Sequence, residues 1–173
     1  MIPVPWRTVK SWSCVECGMC CKDYHVVLNF NEWAKIVRAY GADATISSVS
    51  KLFLGKKSDG TCCFLSQQGD ASVCGLQYMK PVACKIWPFK IFLEPKFGSQ
   101  NEALYKYRDH SFFVYVDPAC TGLRWGKPDQ RLIYKTLPEF IDVAVGLRKQ
   151  QFYSTSKVQG QPGQSTFRGR TVI

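Results

Sequence analysis

Four thiols within eight residues, Cys14, Cys17, Cys20 and Cys21, limit what this chain can fold into more than any other stretch. No hydrophobic run long enough to bury them as ordinary core surrounds them. Two cysteines at C-x2-C spacing bring both sulfurs to one side of a tight turn, where they can share a metal. Gly18 suits such a turn, because glycine reaches positive φ without steric cost. Cys20 extends the run to C-x2-C-x2-C, and Cys21, its neighbour, is expected to face elsewhere. The stretch predicts metal ligation and leaves the metal open.

The whole chain has 9 cysteines in 173 residues. A disulfide scaffold is the plainer explanation, and it fits poorly. The count is odd, the density is below that of small stapled domains, and two pairs, Cys20-Cys21 and Cys62-Cys63, are vicinal. The N-terminal Met1–Trp6 stretch has no basic region followed by an apolar one, so a reducing, cytoplasmic setting is expected. No apolar run approaches the length of a membrane-spanning helix.

The expected fold class is α+β: a small, cysteine-rich, metal-stapled domain with short antiparallel strands, flanking helices and a C-terminal helix. Residues 1–13 read as an extended lead-in anchored by Trp6 and Trp12. His25–Leu28 has β character. Asn31 is placed as an N-cap for a helix whose face carries Trp33, Ile36, Val37 and Tyr40 and which Gly41 stops. A second short helix is expected over 47–54. Strands are expected at 61–65 and 72–74 around a Gln68-Gly69-Asp70 turn. Pro81 suits the start of a short helix carrying Cys84, and strands follow up to Phe92, at 104–107 and at 111–116. A turn at 117–122 presents Cys120. Residues 128–152 read as helical, kinked or restarted at Pro138. The domain is thus expected to span 1–153, with 154–173 a flexible basic tail that has Lys157, Arg168 and Arg170 and no acids.

Cys63 is expected to face the opposite side of its strand from Cys62 and to pack as a small residue. Without it, eight thiols remain: Cys14, Cys17, Cys20, Cys21, Cys62, Cys74, Cys84 and Cys120. Four thiolates saturate a tetrahedral zinc ion or a [4Fe–4S] cluster, so eight suggest two sites with ligands from both the first loop and the later turns. C-x2-C-x2-C resembles the start of a bacterial ferredoxin run, which continues differently. Zinc favours paired knuckles, which the second half lacks. Zinc and iron–sulfur both stay open. With two zinc ions bound, the formal charge of +10 would fall by about four.

These motifs resemble the YkgJ-type cysteine-cluster family of zinc- or iron-chelating domains. The shared signature is the C-x2-C-x2-C-C run of Cys14–Cys21, then Gly60-Thr61-Cys62-Cys63-Phe64-Leu65. It continues through Cys74-Gly75-Leu76-Gln77-Tyr78 and Lys80-Pro81-Val82-Ala83-Cys84-Lys85-Ile86-Trp87-Pro88-Phe89, and closes on Cys120-Thr121-Gly122. The resemblance implies that the eight cysteines named above are the family's and that Cys63 is extra. Lys80 stands where arginine is usual and Thr121 where proline is usual.

The function expected is metal binding through eight cysteines, with the metal chiefly structural. The resemblance adds one alternative, a protein-lysine methylase using S-adenosylmethionine, because flagellin lysine-N-methylases are relatives; they add a substrate region that this chain lacks. The basic surface and tail add another, an RNA- or ribonucleoprotein-associated module. His25 and His110 are expected to be surface or strand residues. Trp87, Pro88 and Phe89 are expected to pack around the metal, and Asp109 and Asp117 to be solvated turn residues.

Overall fold

The structure, a computed structural model, describes residues 1–153; the expected tail lies outside them. The lead-in is β1 (Val4–Pro5), a 3-10 turn at Trp6–Thr8 and β2 (Val9–Trp12). Next come α1 (Met19–Lys22), β3 (Val27–Leu28), α2 (Phe30–Tyr40), β4 (Thr45–Ser47), β5 (Leu52–Leu54), β6 (Leu65–Gln68) and β7 (Ala71–Cys74). The second half has α3 (Val82–Lys85), β8 (Phe89–Phe92), α4 (Gln100–Ala103), β9 (Leu104–Tyr107), β10 (His110–Val116), β11 (Leu123–Trp125) and α5 (Leu137–Ala144). It is an α+β fold of short antiparallel pieces.

β10 is the hub. Its apolar stretch Phe112–Val116 is buried, and it pairs with β1, β8 and β9. Trp6, Val9 and Trp12 pack beneath this sheet against Phe89, Phe140 and Ile141. Trp12 meets Phe89 and Phe140 edge to face at 5.7 and 5.2 Å, a favoured geometry for aromatic quadrupoles. A second core forms around Leu28, Ile36, Leu54, Leu65 and Leu76. Five of the cysteines pack on these cores: Cys14 and Cys120 on the first, Cys21, Cys62 and Cys74 on the second.

Several local expectations need correction. The α2 N-cap is Asn29, not Asn31: Asn29 Oδ1 accepts the Glu32 N–H at 2.9 Å while Glu32 Oε2 accepts the Asn29 N–H at 3.0 Å. That reciprocal capping box outcompetes a bare asparagine two residues later. Residues 45–54 form the β4–β5 hairpin rather than a helix. Thr45 and Ile46 are β-branched, and Ser48 closes the turn by bonding Lys51 through backbone and side chain. Cys62 contributes one isolated bridge to Lys56, and the strand starts only at Leu65. The last helix stops at Ala144, before Gly146 with φ 80°. A π turn over Leu132–Thr136 leads into it, and Pro138 sits in its first turn.

Candidate metal centre

The first knuckle is fixed from both sides. Ser13 N–H donates to Gly122 O at 3.1 Å, so β2 and the 117–122 turn enter the site together. Gly122 has no room for a side chain: a Cβ there would run into Ser13 O. Within the knuckle, Glu16 has φ 54° and its N–H donates to Cys14 Sγ at 3.4 Å. Gly18 has φ 73°, and a Cβ on it would lie 2.5 Å from Ser72 Oγ. Glycine is therefore needed there for conformation and for space. α1 then carries Cys20 and Cys21 on one short turn.

The remaining thiols arrive on elements tied to that turn by backbone bonds. Cys62 N–H donates to Cys21 O at 2.7 Å, and Ser72 N–H to Glu16 O at 2.8 Å, which brings in β7 and Cys74. Cys84 sits on α3, whose first N–H, from Val82, is accepted by Glu32 Oε1 at 2.7 Å. Glu32 thus caps α2 with one oxygen and α3 with the other.

The eight cysteines gather at two hollows. The larger, about 350 Å³, is lined by Cys20, Cys21, Cys62, Cys74 and Cys84. The smaller, about 20 Å³, is lined by Cys14, Cys17, Cys20 and Cys120. Trp87 stands in the wall of both, against Tyr24 at 4.3 Å between ring centroids. Cys20 also borders both, with its sulfur 3.9 Å from that of Cys21. Among the described residues, no three His, Cys, Asp or Glu side chains already stand together at the spacing of a single-ion site. The thiols ring the hollows.

Their electrostatics show what a bound cation would relieve. The Cys21 thiol is pushed far up by its hydrogen bond with Cys20 and by burial. Burial pushes Cys62 up to about 12 and also raises Cys74, Cys84 and Cys120. Lys80, buried at 5% exposure, acts in the opposite sense on Cys21, Cys74 and Cys84. At the smaller hollow, Thr121 Oγ1 donates to Cys17 Sγ at 3.2 Å. Trp12 Nε1 is buried without a hydrogen-bond partner and lies toward Cys120, whose thiolate it favours. An orphaned donor aimed at a sulfur, a buried ammonium and soft donors fit zinc or iron held by thiolates.

Cys63 stands apart. Its Sγ donates to Ala44 O at 3.7 Å, and it borders neither hollow. His25 is exposed beside Phe53 at the rim of the larger hollow, and His110 is exposed on β10. Asp109 is exposed as expected, but Asp117 is not solvated: it is 4% exposed, accepts from Tyr24 Oη and Ala119 N, and pairs with Lys90 at 3.6 Å. Lys80, Glu32 and Trp12 carry roles that the sequence reading missed. The one signal for these in the sequence is the basic residue Lys80, four positions before Cys84.

A family model described as "CxxCxxCC: Putative zinc- or iron-chelating domain" matches residues 13–121. No curated protein and no solved structure matches the chain. The matched span runs from one residue before the first cysteine to one residue after the last.

Proposed function

Because the chain belongs to the C-x2-C-x2-C-C family of zinc- or iron-chelating domains, we propose that it is a metal-binding protein with two four-thiolate centres. Cys14, Cys17, Cys20 and Cys120 make the outer centre; Cys21, Cys62, Cys74 and Cys84 make the inner one. The observation that carries this reading is the division of the eight thiols between two hollows. Cys20 borders both, and assigning it to the outer one completes four ligands at each.

The metal supplies cross-links that the fold otherwise lacks. The outer centre joins the first knuckle to the turn after β10, and the inner centre joins α1, the Cys62 loop, β7 and α3. A structural thiolate site contributes on the order of 10 kcal/mol to folding. Strands of two to seven residues need such support. Lys80 lowers the net negative charge that four thiolates leave around a divalent ion; Thr121 donates to Cys17 Sγ, and the unpartnered Trp12 Nε1, turned toward Cys120, is the donor for its thiolate, in the manner of ligand-orienting partners.

Zinc and an iron–sulfur cluster both suit this donor set. Metal quantification with an absorption spectrum, on full-length protein purified without oxygen, separates them. Stoichiometric zinc in colourless protein, or iron with a broad visible absorption band, supports the reading. Absence of stoichiometric zinc or iron, with all nine thiols freely reactive, refutes it.

A further inference from the structure

β8 is the last strand of its sheet and pairs on one side only, with β10. Asp117 N–H donates to Pro88 O at 2.9 Å, and the same register sets Lys90 opposite Tyr115 and Phe92 opposite Phe113. In an antiparallel ladder this phase turns the backbone groups of Lys90 and Phe92 toward β10 and those of Phe89 and Ile91 outward. Ile86 O takes the Phe89 N–H at 2.7 Å. The Phe89 C=O and the Ile91 N–H and C=O have no hydrogen-bond partner among the described residues. The larger hollow runs along this edge. Phe89, Lys90, Ile91 and Phe92 all line it, and no residue of β10 does. A hollow under one sheet face would touch alternate residues only. Across it stand His25, Val26 and Leu54, the last two joined by Leu54 N–H to Val26 O at 3.0 Å.

Unpaired strand backbone along a hollow of about 350 Å³ is a template for one more strand. The walls are chiefly apolar, and no aspartate or glutamate lines them. Lys90 stands in the wall, and its ion pair with Asp117 is 3.6 Å long. That is beyond a hydrogen bond, so the ammonium keeps donors for an incoming carboxylate. We propose that the outer edge of β8 docks an extended peptide of a partner protein, which adds as a strand through Phe89 and Ile91. The peptide has apolar side chains at alternate positions, facing as Ile91 does, and a carboxylate between them beside Lys90. Seated there, it passes the inner thiols, which line the same hollow. The inference needs the free edge of β8 and not the identity of the metal.

The test is fluorescence anisotropy of metal-loaded, full-length protein with the labelled peptide Val-Thr-Val-Glu-Val-Thr-Val. Ile91→Pro removes the outward N–H and no ladder bond, a place where an edge strand tolerates proline, and should weaken binding about tenfold. The same peptide N-methylated on its valines, whose N–H groups would face β8, should not bind. Lysine in place of the glutamate should weaken binding by up to about fivefold, and Lys90→Gln should abolish that difference. Amide exchange of the unsubstituted protein gives a readout that no folding defect can imitate: the peptide should slow exchange at Ile91. Metal content should be unchanged in both variants, so failure here is distinct from failure of the two-centre reading. No binding up to about 1 mM peptide, or binding without protection of the Ile91 amide, overturns the proposal. So does protection of that amide by self-association of the protein, or peptide binding that appears only when residues 154–173 are removed, because each names a different occupant.

Discussion

Cys20 and Cys21 are adjacent in the chain with sulfurs 3.9 Å apart, yet they serve different centres in the arrangement proposed above. Cys20→Ser is expected to empty the outer centre and Cys21→Ser the inner one. Metal content of double variants decides it. Cys20→Ser with Cys120→Ser should lose no more than Cys120→Ser alone, because both act on one centre. Cys20→Ser with Cys84→Ser should lose both. Equal metal loss in the two double variants would show that the eight thiols form one shared site.

Gly122 is predicted to be intolerant of any side chain. Its Cβ would meet the Ser13 carbonyl and crowd Trp12 Nε1 at 3.4 Å. Backbone cannot swing aside as a flexible side chain could. Gly122→Ala should therefore destabilise the loaded protein by about 1–3 kcal/mol, read from chemical denaturation. It should also loosen Cys14 and Cys120 together, since the Ser13–Gly122 bond holds both. Gly60, with open space around it, is the control for crowding, although its φ of 80° adds a conformational cost of its own.

Part of this was legible in the chain and part was not. Cys14, Cys17, Cys20 and Cys21 could be read as ligand candidates directly, because C-x2-C-x2-C-C has few other uses, whereas Cys62, Cys74, Cys84 and Cys120 joined them through the family resemblance. The helix end at Gly41 and a strand returning over Ser72–Cys74 after the Gln68-Gly69-Asp70 turn were legible from glycine and turn residues, and the observed strand begins one residue earlier, at Ala71. The β4–β5 hairpin was not: its strands are three residues each, too short for a period of two to stand out from a helical reading. The partition of the thiols was also hidden. It depends on contacts such as Cys62 N–H to Cys21 O and Val82 N–H to Glu32, which join segments tens of residues apart. Asp117 was misread for a related reason, since its burial is decided by Tyr24 and Lys90, distant in sequence.

Lys80 is predicted to support the inner centre without ligating it. It is buried beside thiols whose ionisation it favours. Lys80→Met removes the charge and keeps most of the volume. Metal affinity should fall roughly 10- to 100-fold, as for other residues that support ligands, measured by competition with a chromophoric chelator. Lys80→Arg should restore most of the loss. Affinity unchanged in Lys80→Met would leave the lysine a packing role only.

Removing the metal should reverse the pH dependence of stability. Burial raises the Cys62, Cys74, Cys84 and Cys120 thiols above the ordinary value of 9.0. A raised folded value favours the neutral thiol. That contribution is complete below about pH 9 and is lost as pH climbs through the folded values, about 12 for Cys62. Chelated protein should therefore lose stability in alkali. In loaded protein the same groups are thiolates and protons compete with the metal, so stability should fall in acid instead. Thermal midpoints of both forms by circular dichroism across pH check this; parallel profiles would argue against thiolate ligation.

The most direct measurement of the central claim is thiol protection, cysteine by cysteine. Metal-loaded protein is alkylated under native conditions before and after chelation, and each site is quantified by peptide mass spectrometry. Two four-thiolate centres predict that Cys14, Cys17, Cys20, Cys21, Cys62, Cys74, Cys84 and Cys120 resist alkylation until the metal is removed. Cys63, bonded to Ala44 O and outside both hollows, should show no metal-dependent protection while the fold is held. Reaction of all nine at rates that chelation does not change would contradict the assignment.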